Sequence, residues 1–295
     1  MSGSRRAGLI AALFSTTGIA MSSSANTAAP AGSPPILVHG HRGARARRPE
    51  NTIPAFRYAI EQGADVLELD LAVTRDNVLV VSHDPLINPS ICTGGKTGVP
   101  IHTLTLAELQ QYDCGSLQNP RFRTQVPTPG TRIPTFDEVL DLAPLGSFEF
   151  NVETKIFADR PELTPGPEEF TRLVLAAIRR HDLESRVILQ SFDFRTLHAM
   201  RTMAPQIRLS ALYEGKARSF VEIAREAGAT IISPAYHLVT PEQVAAAHAA
   251  GLQVVPWTAN TPAEWDNLIT SKVDAIISDD PATLLAHLKE RKLHS

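Results

Sequence analysis

The sequence predicts a (β/α)₈ TIM barrel with an insertion after the second strand, and three observations predict it. Eight short runs rich in Val, Ile and Leu recur along the chain: Ile36–His39, Val66–Leu71, Phe148–Val152, Val187–Gln190, Ile207–Leu212, Thr230–Ser233, Gln253–Pro256 and Ala275–Ser278. Each has the length and composition of a parallel strand buried on both faces. Helical stretches with start signals lie between most of them. Polar residues suited to chemistry stand at the ends of several different runs. A doubly wound sheet, the alternative, would gather them at one switch point.

The elements follow in order. Arg5 and Arg6 precede an apolar run, Ala7–Phe14, and a Ser-, Ala- and Thr-rich stretch continues to Pro30. Residues 1–30 therefore read as a secretory signal peptide and disordered tail, the alternative being a disordered tail alone. The run is too short for a stable membrane span. The expected location is exported, periplasmic or extracellular, which leaves 31–295 as one domain. Thr52-Ile-Pro-Ala-Phe opens the first helix and Gly63 closes it; Thr240-Pro-Glu-Gln, Thr261-Pro-Ala-Glu and Asp280-Pro-Ala-Thr repeat the device of a cap followed by Pro. Gly228 and Gly251 sit where helix C-caps belong.

One segment breaks the rhythm. After a second β-like run, Val78–Ser82, comes a stretch rich in Pro, Gly, Asn and Thr with one helical piece, Thr105–Tyr112. A structureless loop that long is foreign to a compact barrel. Residues from about 85 to 135 thus read as an insertion packed near the barrel mouth. Both cysteines, Cys92 and Cys114, lie in it. In an oxidising compartment they are a disulfide candidate, closing a loop of about 23 residues.

Composition excludes more than it assigns. The chain is 43% hydrophobic and 20% charged, with net charge -3 from 28 basic and 31 acidic residues. That is ordinary globular composition with no basic footprint for nucleic acid. No protein partner is evident, and acids that matter for function must be sought locally.

Four places carry candidate chemistry. His41 and Arg42 follow the first strand in Val38-His-Gly-His-Arg-Gly-Ala44, a proton carrier beside a fork that suits phosphate. Read alone, this is as readily a polar turn that uses Gly40 and Gly43. Glu68 and Asp70 are two apart in a strand and share a face, where paired carboxylates need a cation or base. Their oxygens suit Mg²⁺ or Ca²⁺. His83-Asp84 follows the next run and by itself is a turn histidine. Asn151, Glu153 and Lys155 alternate onto one face of a further strand, so that Glu153 can complete a three-carboxylate site and Lys155 can meet a phosphate oxygen. An exposed salt-bridged edge is the alternative. Together this is equipment for divalent-metal-assisted hydrolysis of a phosphate ester.

In order and spacing, His41-Arg-Gly, Pro49-Glu-Asn-Thr52, Glu68-Leu-Asp70, His83-Asp84, Glu153-Thr-Lys155, Gln190-Ser-Phe192, Trp257-Thr-Ala-Asn260 and Asp274–Pro281 resemble the motifs of glycerophosphodiester phosphodiesterases. The resemblance spans about residues 36–285. It implies a barrel that hydrolyses glycerophosphodiesters, small-molecule substrates, to glycerol 3-phosphate and an alcohol. It implies one divalent cation, Ca²⁺ or Mg²⁺, on Glu68, Asp70 and Glu153, with Glu50 near the metal or an extra ligand. His41 and His83 become the acid–base pair, in either order, and the nucleophile is water or the glycerol 2-hydroxyl. Arg42 and Lys155 hold phosphate, and Trp257 is an aromatic on the mouth wall that contacts the glycerol or the leaving group. The long insertion and Thr154 depart from the plainest pattern; Thr154 should face away from the site. Two rival readings are a related phospholipase D-type phosphodiesterase acting on lysophospholipid or sphingomyelin, and a non-catalytic exported phosphodiester-binding barrel.

Overall fold

The computed structural model describes residues 34–294 together with Met1 and Gly3; the signal-peptide reading of 1–30 lies outside the described residues. Among the described residues nine strands make one sheet: β1 (Leu37–Gly40), β2 (Val66–Val73), β3 (Leu79–Val81), β4 (Glu149–Thr154), β5 (Val187–Ser191), β6 (Arg208–Tyr213), β7 (Ile231–Pro234), β8 (Gln253–Val254) and β9 (Ala275–Ser278). The order is β8-β7-β6-β5-β4-β2-β1-β9, parallel throughout, with β3 antiparallel on β2. Backbone bonds from Asp274 N to Val254 O (3.0 Å) and Ile277 N to Pro256 O (3.0 Å) join the two ends. Eight parallel strands thus form the ring, one for each apolar run of the sequence. Pro256 has no N–H to give, which shortens β8.

The helices are α1 (Ile53–Gln62), α2 (Leu106–Leu109), α3 (Phe136–Leu140), α4 (Pro167–Arg180), α5 (Phe194–Met203), α6 (Phe220–Ala227), α7 (Pro241–Ala249), α8 (Pro262–Thr270) and α9 (Pro281–Glu290). The expected caps do their work. Thr52, Thr240, Thr261 and Asp280 each accept a backbone N–H from the first turn of the helix they open. Gly63 and Gly228 close theirs in the left-handed conformation.

Strand alternation divides the side chains into two sets. Val38, Leu67, Leu69, Leu71, Phe150, Val152, Leu189, Leu209, Ile232 and Ile276 point outward and pack with the helices into the main core. The inward set is mixed. Ile188, Ile231, Val255, Ala275 and Ile277 form a small apolar cluster inside the ring. His39, Asn151, Gln190, Ser210 and Ser233 are also buried there, and charged residues crowd the strands' C-terminal ends.

The segment from Thr74 to Pro134 folds as an excursion with its own apolar cluster, built on Val80, Ile87, Ile101, Leu109, Tyr112 and Ile133. Cys92 and Cys114 are disulfide-bonded within it. Its helix is shorter than the sequence suggests. A capping box of Thr105 and Glu108 starts α2. The chain then leaves the helix because Asp113 exchanges both backbone bonds with Thr93 (2.7 and 3.0 Å). The loop 118–125 lies on the chain that follows β1: Gln125 Nε2 donates to Arg45 O (2.6 Å) and Thr124 Oγ1 to Ala46 O (3.1 Å).

Candidate active site

The site forms where β1, β2, β4 and the excursion meet at the C-terminal end of the barrel. Glu68 and Asp70 lie on β2 and Glu153 on β4, with Asp70 paired in register to Glu153. Their carboxylates are buried, and one oxygen from each lies within 4.8 Å of the others. Burial, with repulsion from Asp70 and Glu153, pushes Glu68 well above the usual carboxylate range. Burial also raises Glu153, although Lys155 opposes it. Burial alone would raise Asp70 too, but Lys155, His83 and Arg42, together with a hydrogen bond from Asn51, hold it well below.

The turn after β1 brings the cations. Gly43 has φ +82°, and a Cβ there would come within 2.7 Å of the Ala55 backbone. Gly40 needs no unusual angle; it is required for space, because a Cβ would collide with the Gly43 carbonyl. The tight turn places the Arg42 N–H on Glu68 Oε2 (2.9 Å), its Nη1 on Glu50 Oε1 (2.6 Å) and its Nε 3.4 Å from Asp70 Oδ2. Arg42 Nε is buried without a hydrogen-bond acceptor. Lys155 Nζ lies 2.9 Å from Glu153 and 3.5 Å from Asp70. Glu50 stands apart from the trio, shared between Arg42 and, at 3.9 Å, Arg45.

The two histidines are held differently. His41 is buried, with Nδ1 2.6 Å from Asp279 Oδ1 and Nε2 facing Glu68 at 3.8 Å. Burial and the Arg45 charge outweigh Asp279 and push the ring down to about 4, so it is neutral near pH 7. A carboxylate partner makes Nδ1 the protonated nitrogen and turns the Nε2 lone pair toward the cavity. His83 is about one-third exposed, with Nδ1 2.8 Å from Asp84 Oδ1. Asp84 in turn accepts from Asn88. Both histidines, Arg42, Lys155, the three carboxylates and Trp257 line one cavity of about 290 Å³. Thr154 points the other way, bonded to Thr196 on α5 (2.8 Å).

Several supporting residues sit inside the quoted motifs but have no role that sequence alone assigns. Asp279, after β9, accepts from His41, Arg45 Nε (2.5 Å), Arg45 Nη2 (3.1 Å) and Asn260 Nδ2 (2.9 Å). Gln190 donates to Glu68 Oε1 (2.8 Å) and accepts from Asn151 (2.9 Å). Asn51 donates to Asp70 (2.9 Å). The signal was a polar residue at the end of an apolar strand, repeated on β5 and β9.

The donor set fits a divalent cation. Five carboxylates at this end are buried (Glu50, Glu68, Asp70, Glu153 and Asp279), and the cations among them are Arg42, Arg45 and Lys155. With all five ionised the surplus is two negative charges, which a bound cation would offset, and the trio offers only hard oxygen donors, which suit Ca²⁺ or Mg²⁺.

Comparison with known proteins agrees. The glycerophosphoryl diester phosphodiesterase family model matches residues 41–283, from His41 to beyond Asp279. The glycerophosphodiester phosphodiesterase of Caldanaerobacter subterraneus subsp. tengcongensis is 35% identical over 249 residues, covering 84% of this chain and 96% of that one. A Silicibacter pomeroyi protein named for the same activity superposes with a TM-score of 0.82 at 30% identity, over 88% of this chain and 96% of the other. An Oleispira antarctica phosphodiesterase, solved with the product sn-glycerol-3-phosphate, shares the fold with a TM-score of 0.74 at 23% identity, over 86% and 97% of the two chains. With a match that spans every strand end described above, this chain is an enzyme that belongs to the glycerophosphoryl diester phosphodiesterase family.

Proposed function

We propose that the protein hydrolyses glycerophosphodiesters to glycerol 3-phosphate and an alcohol, using one divalent cation, Ca²⁺ or Mg²⁺, on Glu68, Asp70 and Glu153, and using His41 and His83 as base and acid. The observation that carries this reading is the buried trio of carboxylates sharing one cavity with two histidines, Arg42 and Lys155. When bound, such a cation supplies positive charge that offsets the phosphate oxygens as the transition state forms.

The chain's own groups do the rest. Arg42 and Lys155 present N–H donors to the phosphate from two sides of the trio. His41, neutral and anchored by Asp279, takes the proton of the nucleophile at Nε2. The nucleophile's oxygen bonds to phosphorus as the bond to the leaving alcohol breaks, and His83 gives that alcohol's oxygen a proton. If the nucleophile is the glycerol 2-hydroxyl, a cyclic phosphate forms and a water then opens it with the two histidines exchanging roles.

The test is turnover of a panel of glycerophosphodiesters and of lysophosphatidylcholine, after chelation and after adding back Ca²⁺ or Mg²⁺. Release of glycerol 3-phosphate that chelation abolishes and a cation restores is expected. Full activity after exhaustive chelation would overturn the metal assignment, and turnover of lysophosphatidylcholine alone would move the enzyme to the phospholipase D-type class. We also propose export to the periplasm or the extracellular space. The Cys92–Cys114 disulfide supports it, since such bonds persist in oxidising compartments. Cell fractionation with sequencing of the mature N-terminus checks it.

A further inference from the structure

We infer that Arg121, on the loop of the excursion that borders the active-site cavity, is a subsite for an anionic group, a phosphate or a carboxylate, carried by the leaving alcohol. The inference rests on the hydrolytic reading and narrows the substrate class within it.

Arg121 is an exposed cation on a loop that is fixed from both sides. Its backbone N–H donates to Asn119 Oδ1 (3.0 Å), and the Asn119 N–H donates to Gln125 Oε1 (2.7 Å). Gln125 is buried and gives its own amide to Arg45 O, while the Val126 N–H reaches Arg47 O (3.0 Å). The loop is thus stapled to the chain that follows β1. The Phe122 ring then lies between two guanidinium groups, Arg45 at 5.3 Å and Arg121 at 5.9 Å from its centroid. Arg45 is committed to Asp279, the carboxylate that holds His41. Through Phe122 the head of Arg121 is drawn to the edge of the reaction centre. It lines the same cavity as His41, Arg42, His83 and the three carboxylates.

The protein gives this cation nothing to pair with. Glu50 is taken by Arg42 and Arg45, Asp279 by Arg45 and His41, and Asp84 by His83 and Asn88. Among the described residues Arg121 has no carboxylate partner. The reacting phosphate already has Arg42 and Lys155. A free Arg on a loose surface loop is ordinary. One held beside a catalytic cavity by a buried Gln and a stacked ring presents its fork to an anion from outside.

The substrate can bring that anion on one arm only. The glycerol arm is neutral and gains nothing from a guanidinium. The other arm, the leaving alcohol, takes its proton from His83, and the excursion that carries His83 also carries Arg121. Glu214, on the cavity wall at the end of β6 and across the ring from β1, repels an anion from the far side. A phosphate or carboxylate on the leaving alcohol is therefore steered toward the loop.

The test uses two matched pairs of substrates. Glycerophosphoinositol 4-phosphate and glycerophosphoinositol differ by one phosphate on the leaving alcohol; glycerophosphoserine and glycerophosphoethanolamine differ by one carboxylate. Wild type should favour the more anionic member in kcat/KM by about fivefold, the upper end for an exposed ion pair. Arg121→Gln should bring the ratio to about one, and Arg121→Glu should invert it. A preference in the first pair alone assigns the subsite to phosphate, and in the second alone to carboxylate. No preference in either pair, or one that Arg121→Gln leaves unmoved, overturns the subsite. A separate measurement needs no turnover. Calorimetry on His41→Ala should show the same preference in Kd, lost when Arg121→Gln is added. If that preference is present while wild type cleaves no glycerophosphodiester, the subsite stands and the hydrolytic reading fails; if the diesters are cleaved without it, the subsite alone fails.

Discussion

The chain after β1 and the excursion after β2 each deliver one histidine to the same cavity, and they hold it by opposite means. His41 follows a strand clasped between two parallel neighbours, its backbone N–H bonded to Ser278 O (2.9 Å) and its ring to Asp279. Asp279 is itself pinned by Arg45 and Asn260. His83 follows β3, which among the described residues pairs with β2 and, by one bridge, with Thr135. Its carboxylate partner is about one-third exposed, and its segment packs on a separate apolar cluster closed by a disulfide. One imidazole is thus built into the barrel, while the other is carried on an excursion that has an apolar cluster of its own. A ring that must rest neutral with a fixed tautomer benefits from the first setting. A group that must gain and lose a proton to solvent benefits from the second.

The largest effects come from removing the imidazoles. His41→Ala and His83→Ala should each lower kcat by about 10²–10⁴-fold, the range of general acid–base catalysis, with the fold kept. Circular dichroism and steady-state kinetics check both, and near-normal turnover in either variant would remove that histidine from the mechanism. The supports should separate next. Asp279→Asn should lower kcat by about 10²-fold with little change in KM, because an amide no longer dictates the tautomer of a buried ring. Asp84→Asn should cost only a few-fold, since a partly exposed pair is screened by water. Equal losses would contradict the contrast between the two settings. Smaller in activity, but specific in location, is the disulfide. Cys92→Ser with Cys114→Ser should destabilise by about 3 kcal/mol in the chain-entropy model. Hydrogen exchange should show the loss of protection first in residues 84–133, with the strands of the ring protected as before.

Much of the barrel was legible because both faces of its strands are enclosed. Each parallel strand is a short apolar run, and Thr52, Thr240, Thr261 and Asp280 announce their helices by capping chemistry that is local in sequence. The acids were legible for the same reason. Glu68 and Asp70 are conspicuous within a run that is otherwise Val and Leu, and alternation puts them on one face. What sequence spacing cannot carry is contact across the ring. Asp279 meets His41 over 238 positions and Gln190 meets Glu68 over 122, so neither role shows in a local pattern. The end of α2 depends on Asp113 pairing with Thr93, 20 positions away in a segment without periodicity. Glu50, beside Arg42 in the sequence motif, could be placed near the trio; that its carboxylate serves two guanidinium groups depends on how the turn at Gly43 folds.

The smallest effect tests whether the barrel interior enforces neutrality beneath the site. His39 lies two residues before His41 on the same inward face, and burial, with Arg208 adding to it, pushes its ring down to about 3. The unfolded ring titrates near 6.5. With the folded value lower than the unfolded one, the unfolded chain binds the proton first as pH falls. Its contribution to stability is therefore complete above about pH 6.5 and is lost toward pH 3, at about 1.4 kcal/mol per pH unit. His39→Gln removes that dependence while supplying an amide able to bond Asn151 in the ring's place. Between pH 7 and pH 5 the wild type should lose about 2 kcal/mol more stability than the variant, read from urea midpoints at the two pH values. His41, Glu68 and Glu153 titrate too, His41 in the same sense and the raised carboxylates in the opposite one, but they are common to both proteins and cancel in the difference. An equal loss in the two proteins would mean that His39 accepts its proton inside the folded ring. The neutral interior would then begin only at His41, and the β1 setting would owe its character to Arg45 and Asp279 rather than to burial along the strand.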